Sequence, residues 1–575
     1  MPSKTKKPVR ILGIGPEVWI SSAALIENGR IVAGAAEERF NRQKASRDFP
    51  FKSIEHCLKE AKCKFEDIDY VAVGWNPAVH LKLYNYRFSK ASRWRAEYLY
   101  SIPNHLMTLM KDKKVDYVEQ NFAQKNGKCR IAYVNHHTAH AANAFFLSPY
   151  KKAAILTVDG RGEDDTALFA IGNGNKIEEL RTVEHPHSLG LVYTTFTQFL
   201  GFQIHTDEWK VMALASYGSK NNSYYTSLKK MFKLKPDGRF EIDLTYFDYY
   251  LHDRNNFWSH KLTRIFGEPR TPDSKITKRH QDIAAALQQV TEEVLAHMLN
   301  CLYKETGITN LTVGGGTFMN SVFNGKITKM TPFKNVFISS CPDDSGISIG
   351  AATYVYNHIL GNPHRYEQSH NFYGPELTAS QINKDLLKYG QKATYIKNIE
   401  NYAARLISEG KIIGWFQGKM EFGQRALGNR SILADARDPN MKDRVNSVIK
   451  YRESFRPFAP SILEEEVHDY FDCAKNSKVP FMERVYLIKE DKQKSIPAVT
   501  HIDGTGRLQT VSRATNPRYY KLIEEFKKLT GIPVVMNTSF NLKGEPIVCT
   551  STDAIRTFHS CGLDALIIGN YALLK

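Results

Sequence analysis

Two histidines four residues apart are the first feature of this sequence that could carry chemistry. His136 and His140 lie in the run NHHTAHAANAFFLS, which is typical of a helix. Residues four apart share one face of a helix, so both imidazoles could bind one transition metal ion such as Zn or Fe(II). Asp159 and Asp344, each at the end of a strand-like run, are candidate carboxylate ligands, whereas His137 would face elsewhere. The alternative is that the histidines cap the helix and pack in the core.

Two glycine-rich turns follow apolar runs and could hold a nucleotide. They are DGRGE at 159–163 and GGGT, which contains Gly315 and Gly316. Glycine lets the backbone approach phosphate, and the exposed N–H groups supply hydrogen-bond donors. Asn320 is a candidate contact to a ribose or base, and Lys210 could pair with a phosphate. Tight turns without a ligand, and a solvated lysine, explain the same residues equally well.

Arginines gather in the last third of the chain, among glycine, aromatic and proline residues. They begin in GKMEFGQRALGNRS at 418–431. The later cations and neutral donors are Lys450, Arg452, Arg456, Arg507, Arg513 and the run NTSFN at 537–541. Arginine binds phosphate and carboxylate groups bidentately, so this pattern favours a phosphate-bearing substrate. A surface rich in salt bridges is the alternative.

Strands and helices alternate around these motifs, which predicts an α/β fold. RILGIG, SSAALIENG and RIVAGAAEERF predict a β-meander, and a helix without Gly or Pro is predicted over 281–303. AAILTVDG and LTVGGG predict strands that deliver Asp159 and the glycine turn. The repeated strand-turn-glycine pattern suggests a duplicated fold. The rhythm is lost over about 362–394, where we expect a domain boundary, and a second α/β unit begins with IIGWFQG.

Composition is that of a globular protein with a basic charge. Of 575 residues, 42% are hydrophobic and 24% charged, and the net charge is +18. No apolar run is long enough to cross a bilayer or to act as a signal peptide, so we expect a cytoplasmic protein that binds no membrane. The eight cysteines are scattered, which indicates neither a disulfide framework nor a zinc ribbon. Without an arginine-rich arm or a nucleic-acid-binding motif, the charge favours small anionic substrates over nucleic acid.

Taken together, the motifs resemble those of the NodU/CmcH-type O-carbamoyltransferases over nearly the whole chain. The resemblance is carried by EERF, VNHHTAHAANAFF, VDGRGE, DEWKVMALASYG, GGGTFMNSVFNGKI, FQGKMEFGQRALGNRSILADARDP, FRPFAPSIL, THIDGTGRLQTV and NTSFNLKGEPIVCT. It implies a TsaD-like domain of the actin/sugar-kinase (ASKHA) superfamily over 1–370. It also implies a YrdC-like α/β domain over 395–575, with the KxR…SxN signature at Lys450, Arg452, Ser539 and Asn541.

The same resemblance implies the reaction and its residues. The YrdC-like domain would make carbamoyl-adenylate from carbamoyl phosphate and ATP with Mg²⁺, and the TsaD-like domain would pass the carbamoyl group to a hydroxyl of a small natural product or glycan. The implied metal ligands, for iron as Fe²⁺, are His136, His140, Asp159 and Asp344. The residues implied to hold carbamoyl phosphate and ATP are Arg425, Lys450, Arg452, Arg507, Ser539 and Asn541. Catalysis would fall to His140, Asp344, Lys450 and Arg452. A homodimer is the oligomeric state that the family suggests.

One departure from the family pattern concerns the acceptor. Where the family has YHDSAAAL, this chain has Trp19 in place of the histidine and Ile20 in place of the aspartate. The acceptor chemistry would therefore use another group or an unusual acceptor, or transfer would be impaired. Three other functions stay open at this point: an ASKHA kinase or ATPase, a tRNA threonylcarbamoyladenosine-type enzyme, and a non-catalytic protein that kept the nucleotide site.

Overall fold

A computed structural model describes residues 7–15, 20–76, 117–124, 127–251 and 254–575. Its first sheet has six strands in the order β3-β2-β1-β4-β6-β5. These strands are β1 Arg10–Gly15, β2 Ser22–Glu27, β3 Arg30–Ala36, β4 Tyr70–Val73, β5 Tyr117–Gln124 and β6 Gly127–Val134. The predicted meander is confirmed, since β1, β2 and β3 pair in antiparallel fashion.

The second sheet has five strands in the order β13-β12-β7-β8-β9. The strands of this sheet and of a separate hairpin, β10 with β11, are β7 Lys152–Val158, β8 Asp165–Asn173, β9 Lys176–Glu184, β10 Phe232–Leu234, β11 Phe240–Ile242, β12 Asn310–Gly314 and β13 Asn335–Ile338. In both the six-stranded and the five-stranded sheet, three strands form an antiparallel meander. Two further strands follow: one pairs in parallel with the first strand of the meander, and the next pairs in parallel with that one. The predicted duplication and the predicted α/β class are therefore confirmed by the strand topology.

Helices connect and cover these strands. Up to residue 353 they are α1 Glu38–Asn41, α2 Phe51–Glu60, α3 His136–Phe145, α4 Leu189–Phe199, α5 Glu208–Ala215, α6 Ser223–Lys229, α7 His260–Phe266, α8 Lys278–Thr306, α9 Ser321–Asn324, α10 Ile327–Met330 and α11 Ile347–Thr353. The predicted helix over 281–303 is confirmed as α8, which ends at the left-handed Gly307. The sequence around 103–111 is also typical of a helix, and it lies outside the described residues.

The third sheet has nine strands in the order β14-β22-β21-β15-β16-β20-β17-β19-β18. They are β14 Thr394–Tyr395, β15 Ile413–Phe416, β16 Arg430–Asp435, β17 Ala459–Leu463, β18 Arg484–Leu487, β19 Thr505–Val511, β20 Val534–Ser539, β21 Ala565–Ile568 and β22 Tyr571–Leu574. Its helices are α12 Ala379–Lys388, α13 Ile399–Ser408, α14 Met441–Val445, α15 Val467–Tyr470, α16 Glu490–Gln493, α17 Pro517–Thr530 and α18 Ser551–His559. This sheet is the second α/β unit expected from the sequence.

Residues up to 360 are called the N-terminal part below, and residues from 379 the C-terminal part. The two parts meet along β18, where Asn324 donates a hydrogen bond to the Glu483 carbonyl at 2.9 Å. Arg42 of the N-terminal part donates to the carbonyls of Ile547 and Pro546 in the C-terminal part, at 2.6 and 2.8 Å. Partly buried donors and acceptors are thus satisfied across the contact, which favours one fixed arrangement of the two parts. In the described residues no helix has both the length and the apolar character needed to cross a membrane.

Helix α3 and helix α11 pack with almost no space between their backbones. A Cβ on Gly350 would lie 1.9 Å from the carbonyl oxygen of Ala139, which is a helix backbone that cannot move alone. We expect Gly350→Ala to lower the free energy of unfolding by about 1–3 kcal/mol because overpacking forces the helices apart. Chemical unfolding checks this value. The exposed Ser380→Ala on α12 is the control and should change stability by less than about 0.5 kcal/mol. An unchanged value for Gly350→Ala would contradict the packing described.

Candidate functional site

The first cluster of polar side chains lies where three elements of the N-terminal part converge. His136 and His140 project from the first two turns of α3, Asp159 follows the end of β7, and Asp344 opens a short 3₁₀ turn before α11. All four side chains are buried. The glycine turn after β12 lies beside them, since a Cβ on Gly316 would be 3.1 Å from an Asp159 oxygen.

Distances within this cluster are short. The two imidazole Nε2 atoms are 3.1 Å apart. Asp159 Oδ2 is 2.9 Å from His140 Nε2 and 3.5 Å from His136 Nε2. Asp344 Oδ1 is 3.4 Å from His140 and 3.6 Å from His136. One ligand atom from each of the four residues therefore lies within 4.8 Å of the others.

The ionisable side chains of this cluster shift one another's pKa values. Burial opposes a charge on His140, but hydrogen bonds to Asp159 and Asp344 raise its pKa to about 10. Burial would also raise the pKa of Asp159, yet the hydrogen bonds from His136 and His140 hold that pKa well below its usual range. The pKa of Asp344 is raised by burial and by the neighbouring Asp159 carboxylate. Two carboxylates therefore face two imidazoles in a space from which water is largely removed.

This donor set fits a divalent metal ion. The second oxygen of Asp344 is buried without a hydrogen-bond partner in the described residues, and the Nε2 atoms of both histidines face the carboxylates. Two imidazole nitrogens and two carboxylates are ligands typical of iron and zinc. The neighbouring His137 does not join them, as predicted, because its Nδ1 is 2.7 Å from the Thr157 hydroxyl.

A carboxylate that the sequence analysis did not single out fixes the start of α3. Glu163 accepts hydrogen bonds from the backbone N–H of His136 at 3.0 Å and of Asn76 at 2.6 Å. A carboxylate at this position satisfies free N–H groups and interacts favourably with the helix dipole. Burial raises the pKa of Glu163 to about 6. Its place in the VDGRGE motif was the available signal, but the contact joins residues 27 positions apart.

The other predicted nucleotide contacts of the N-terminal part have protein partners. Gly315 takes a left-handed φ of +91°, and a Cβ there would lie 2.3 Å from the Val158 carbonyl oxygen. Asn320 exchanges hydrogen bonds with Gln288 at 2.9 and 3.1 Å. Lys210 pairs with Asp207 at 2.9 Å and with Glu453 at 3.2 Å. Roles for Gly315, Gly316, Asn320 and Lys210 in binding a nucleotide stay predictions.

The second cluster consists of cations in the C-terminal part. Lys450 ends a π-helical segment after α14 and is buried; it donates to the Ser539 carbonyl at 2.5 Å and to Asn541 Oδ1 at 2.8 Å. Ser539 in turn donates to Asn541 Oδ1 at 2.7 Å. Arg452 donates to Asn446 Oδ1 at 2.7 Å, and its guanidinium lies 4.2 Å from the Phe458 ring centre. The residues of the KxR…SxN signature are thus brought together.

Like charges surround one another in this cluster. Burial lowers the pKa of Arg507 well below its usual range, and the charges of Arg425, Arg452 and Arg456 lower it further. The pKa of Lys450 is lowered in the same way, by burial and then by Arg452 and Arg456. The Nε atoms of Arg456 and Arg507 are buried without a hydrogen-bond partner in the described residues. Burying these cations beside one another costs free energy. The cluster is therefore expected to bind an anionic ligand, which would supply the opposite charge and the missing hydrogen bonds.

Of the two residues that depart from the family pattern, the structure describes one. Trp19 lies outside the described residues, and Ile20 is half-buried just before β2. Trp75 lies near the metal-type cluster, with its ring centre 5.6 Å from that of His136. An aromatic side chain therefore borders the cluster of histidines and aspartates.

Comparison with known proteins gives matches over most of the chain. Residues 10–353 match the family model for the carbamoyltransferase N-terminus, and residues 404–575 match the model for the carbamoyltransferase C-terminus. The chain is 36% identical to the nodulation protein NolNO of Sinorhizobium fredii, covering 96% of this chain and 78% of that protein. It is 26% identical to the 3'-hydroxymethylcephem-O-carbamoyltransferase of Streptomyces clavuligerus, covering 76% of this chain and 79% of that protein.

Among solved structures, full-length HypF in its phosphate- and nucleotide-bound form matches 62% of this chain and 57% of its own, with a TM-score of 0.32 and 15% identity. The sequence matches are much stronger than this structural one. They extend across both clusters described above, since the two models together cover the histidines, the aspartates and the arginines. The chain belongs to the carbamoyltransferase family and is a transferase.

Proposed function

We propose that this carbamoyltransferase works in two steps, first making carbamoyl-adenylate and then transferring its carbamoyl group to a hydroxyl. The cluster of like-charged cations at Lys450, Arg452, Arg456 and Arg507 carries the first half of the proposal. The buried group of His136, His140, Asp159 and Asp344 supports a second site for transfer. The first step is assigned to residues 395–575 and the second to residues 1–370.

In the first step the cation cluster holds carbamoyl phosphate and MgATP. Water hydrolyses carbamoyl phosphate to carbamate and inorganic phosphate. A carbamate oxygen then attacks the α-phosphorus of ATP, from which pyrophosphate leaves. Arginine and lysine N–H groups stabilise the negative charge that develops on the transferring groups. Lys450, tied to Ser539 and Asn541, is already fixed in direction before the substrate binds. Such preorganisation avoids the free energy of ordering the side chain during the reaction.

In the second step the acceptor hydroxyl attacks the carbamoyl carbon, and AMP leaves. We propose that His136, His140, Asp159 and Asp344 hold a divalent ion, with Fe²⁺ as our assignment. Bound there, such an ion supplies Lewis-acid polarisation of the carbamoyl oxygen or the adenylate phosphate. The carboxylates hold the imidazoles in place, and the burial of all four residues keeps bulk water from the labile adenylate.

For the acceptor we propose a hydroxyl of a small natural product or a glycan. One relative is named for a hydroxymethylcephem that it carbamoylates, which is a small molecule with a primary hydroxyl group. Another is named for nodulation. These names support a small-molecule acceptor rather than tRNA, and Trp75 beside His136 provides an aromatic surface near the cluster.

Product analysis tests the first step directly. With carbamoyl phosphate and ATP, the wild-type protein should release AMP and pyrophosphate once an acceptor is present. Without an acceptor it should still catalyse carbamoyl-phosphate-dependent exchange of pyrophosphate into ATP. Anion-exchange chromatography of labelled nucleotide separates AMP from ADP. ADP as the nucleotide product would reject the adenylate route and favour a kinase or ATPase.

A further inference from the structure

The segment that follows Arg452 lies against a helix of the N-terminal part. Glu453 in this segment forms an ion pair with Lys210 of α5, with Glu453 Oε1 and Lys210 Nζ 3.2 Å apart. Phe455 lies near two rings that flank the same helix in the chain, with its ring centre 6.4 Å from that of Phe202 before the helix and from that of Tyr217 after it. The loop that continues the KxR signature is therefore held by residues of the N-terminal part.

Arg456, at the end of this segment, stacks on Trp209 of α5. Its guanidinium carbon lies 3.8 Å from the Trp209 ring centre, which is close even for a cation–π contact. Glu453 Oε2 lies 3.3 Å from one terminal nitrogen of the same guanidinium. The indole is itself fixed, because Trp209 Nε1 donates to the Thr206 carbonyl at 2.7 Å. The plane of the guanidinium is thus set by a side chain of the N-terminal part.

Stacking of this kind suits a guanidinium that must bind an anion. The ring covers the face of the guanidinium and leaves its edge, where the N–H groups point, for hydrogen bonds. Arg456 is also one of the cations whose charge acts on Lys450 and Arg507. Its Nε has no hydrogen-bond partner in the described residues. A guanidinium that is stacked, only partly paired, and close enough to Lys450 and Arg507 to lower their pKa values is prepared for an incoming phosphate.

We infer that Trp209 is a positioning residue for the anion cluster, acting through Arg456, so that α5 of the N-terminal part completes the site of the C-terminal part. This inference rests on the proposed function of that cluster. The first turn of α5 is also hydrogen-bonded to its own N-terminal part. Glu208 accepts hydrogen bonds from the His205 backbone N–H at 2.7 Å and from the Thr194 hydroxyl at 3.1 Å. One short helix therefore contacts both parts of the enzyme, and adenylate formation depends on the contact between them.

The test compares Trp209→Leu with Trp209→Phe, two apolar replacements of which only Phe keeps an aromatic face. Exchange of pyrophosphate into ATP is measured as a function of carbamoyl phosphate concentration. We expect Leu to raise the KM for carbamoyl phosphate roughly tenfold and Phe to raise it about threefold or less, with kcat changed less than KM. In an Arg456→Gln background the Leu change should add nothing further, because the stacked partner is gone.

A stacked ring elsewhere in the N-terminal part supplies the control variant. Tyr246→Leu removes a different stacked ring, 4.0 Å from Lys261 Nζ and outside both clusters, and should leave the KM unchanged. Equal KM values for the Leu and Phe variants, or an additive effect of Leu in the Arg456→Gln background, would overturn the inference alone. Absence of carbamoyl-phosphate-dependent exchange in the wild type would instead reject the proposed adenylation and the inference with it.

Discussion

Replacing His140 with alanine is expected to abolish carbamoyl transfer while leaving adenylate formation intact. His140 is fully buried, and its Nε2 lies closer to Asp159 than that of His136 does, at 2.9 Å. The alanine removes one of the four proposed ligands and leaves the two carboxylates with one imidazole. We expect bound metal to be lost and transfer to fall by at least about 100-fold, because even an outer partner of a metal ligand contributes 10–100-fold. The cation cluster does not include His140, so pyrophosphate exchange should persist.

The neighbouring His137 supplies a matched control for this prediction. It lies on the same helix and is equally buried, but its Nδ1 contacts the Thr157 hydroxyl at 2.7 Å. Asparagine can keep a hydrogen bond near that position, so His137→Asn should keep its metal and its transfer activity. Metal content is measured by elemental analysis, and the two steps by pyrophosphate exchange and by mass spectrometry of the carbamoylated acceptor. Equal loss of both steps in His140→Ala, or equal loss of metal in both variants, would contradict the assignment.

The sequence was sufficient to predict the metal-type cluster because its members follow local rules. A spacing of four on a helix places His136 and His140 on one face, and strand ends deliver Asp159 and Asp344 to loops. The structure brings these four residues together within 4.8 Å. Strand-end position made the two aspartates candidates, and the family resemblance supported the choice, since their distance from the histidines along the chain carries no geometric information.

Contacts made between distant elements could not be predicted in the same way. The stack of Arg456 on Trp209 joins the C-terminal part to the N-terminal part, and no periodicity in either segment points to the other. Glu163 is similar, because a carboxylate after a glycine turn reads as a turn residue until the start of α3 is placed beside it. The amide of Asn320 is hydrogen-bonded to Gln288, a partner that the sequence did not indicate, and its contact to a ribose or base stays a prediction. Side-chain partners are decided by packing, which composition and spacing do not encode.

Replacing Arg507 with methionine is expected to abolish adenylate formation without destabilising the fold. Arg507 lies on β19, with its pKa depressed by burial and by Arg425, Arg452 and Arg456. Because the native state holds this charge among like charges, an apolar side chain of similar size relieves repulsion there. We expect the free energy of unfolding to stay equal or to rise by about 1 kcal/mol. Pyrophosphate exchange should fall by at least about 100-fold, as on removal of a donor that stabilises transition-state charge.

Arg484 on the adjacent strand β18 is the matched comparison that separates a binding role from a structural one. Its side chain donates to the Val336 carbonyl and lies 4.0 Å from Glu483, so its partners belong to the protein. Arg484→Met should lower the free energy of unfolding by about 1–3 kcal/mol, since it leaves buried acceptors unpaired, while folded molecules keep exchange activity. Carbamoyl phosphate should raise the melting temperature of the wild type and of Arg484→Met but not of Arg507→Met. The opposite pattern, with Arg507→Met unstable and still protected by carbamoyl phosphate, would show that Arg507 supports the fold rather than the anion.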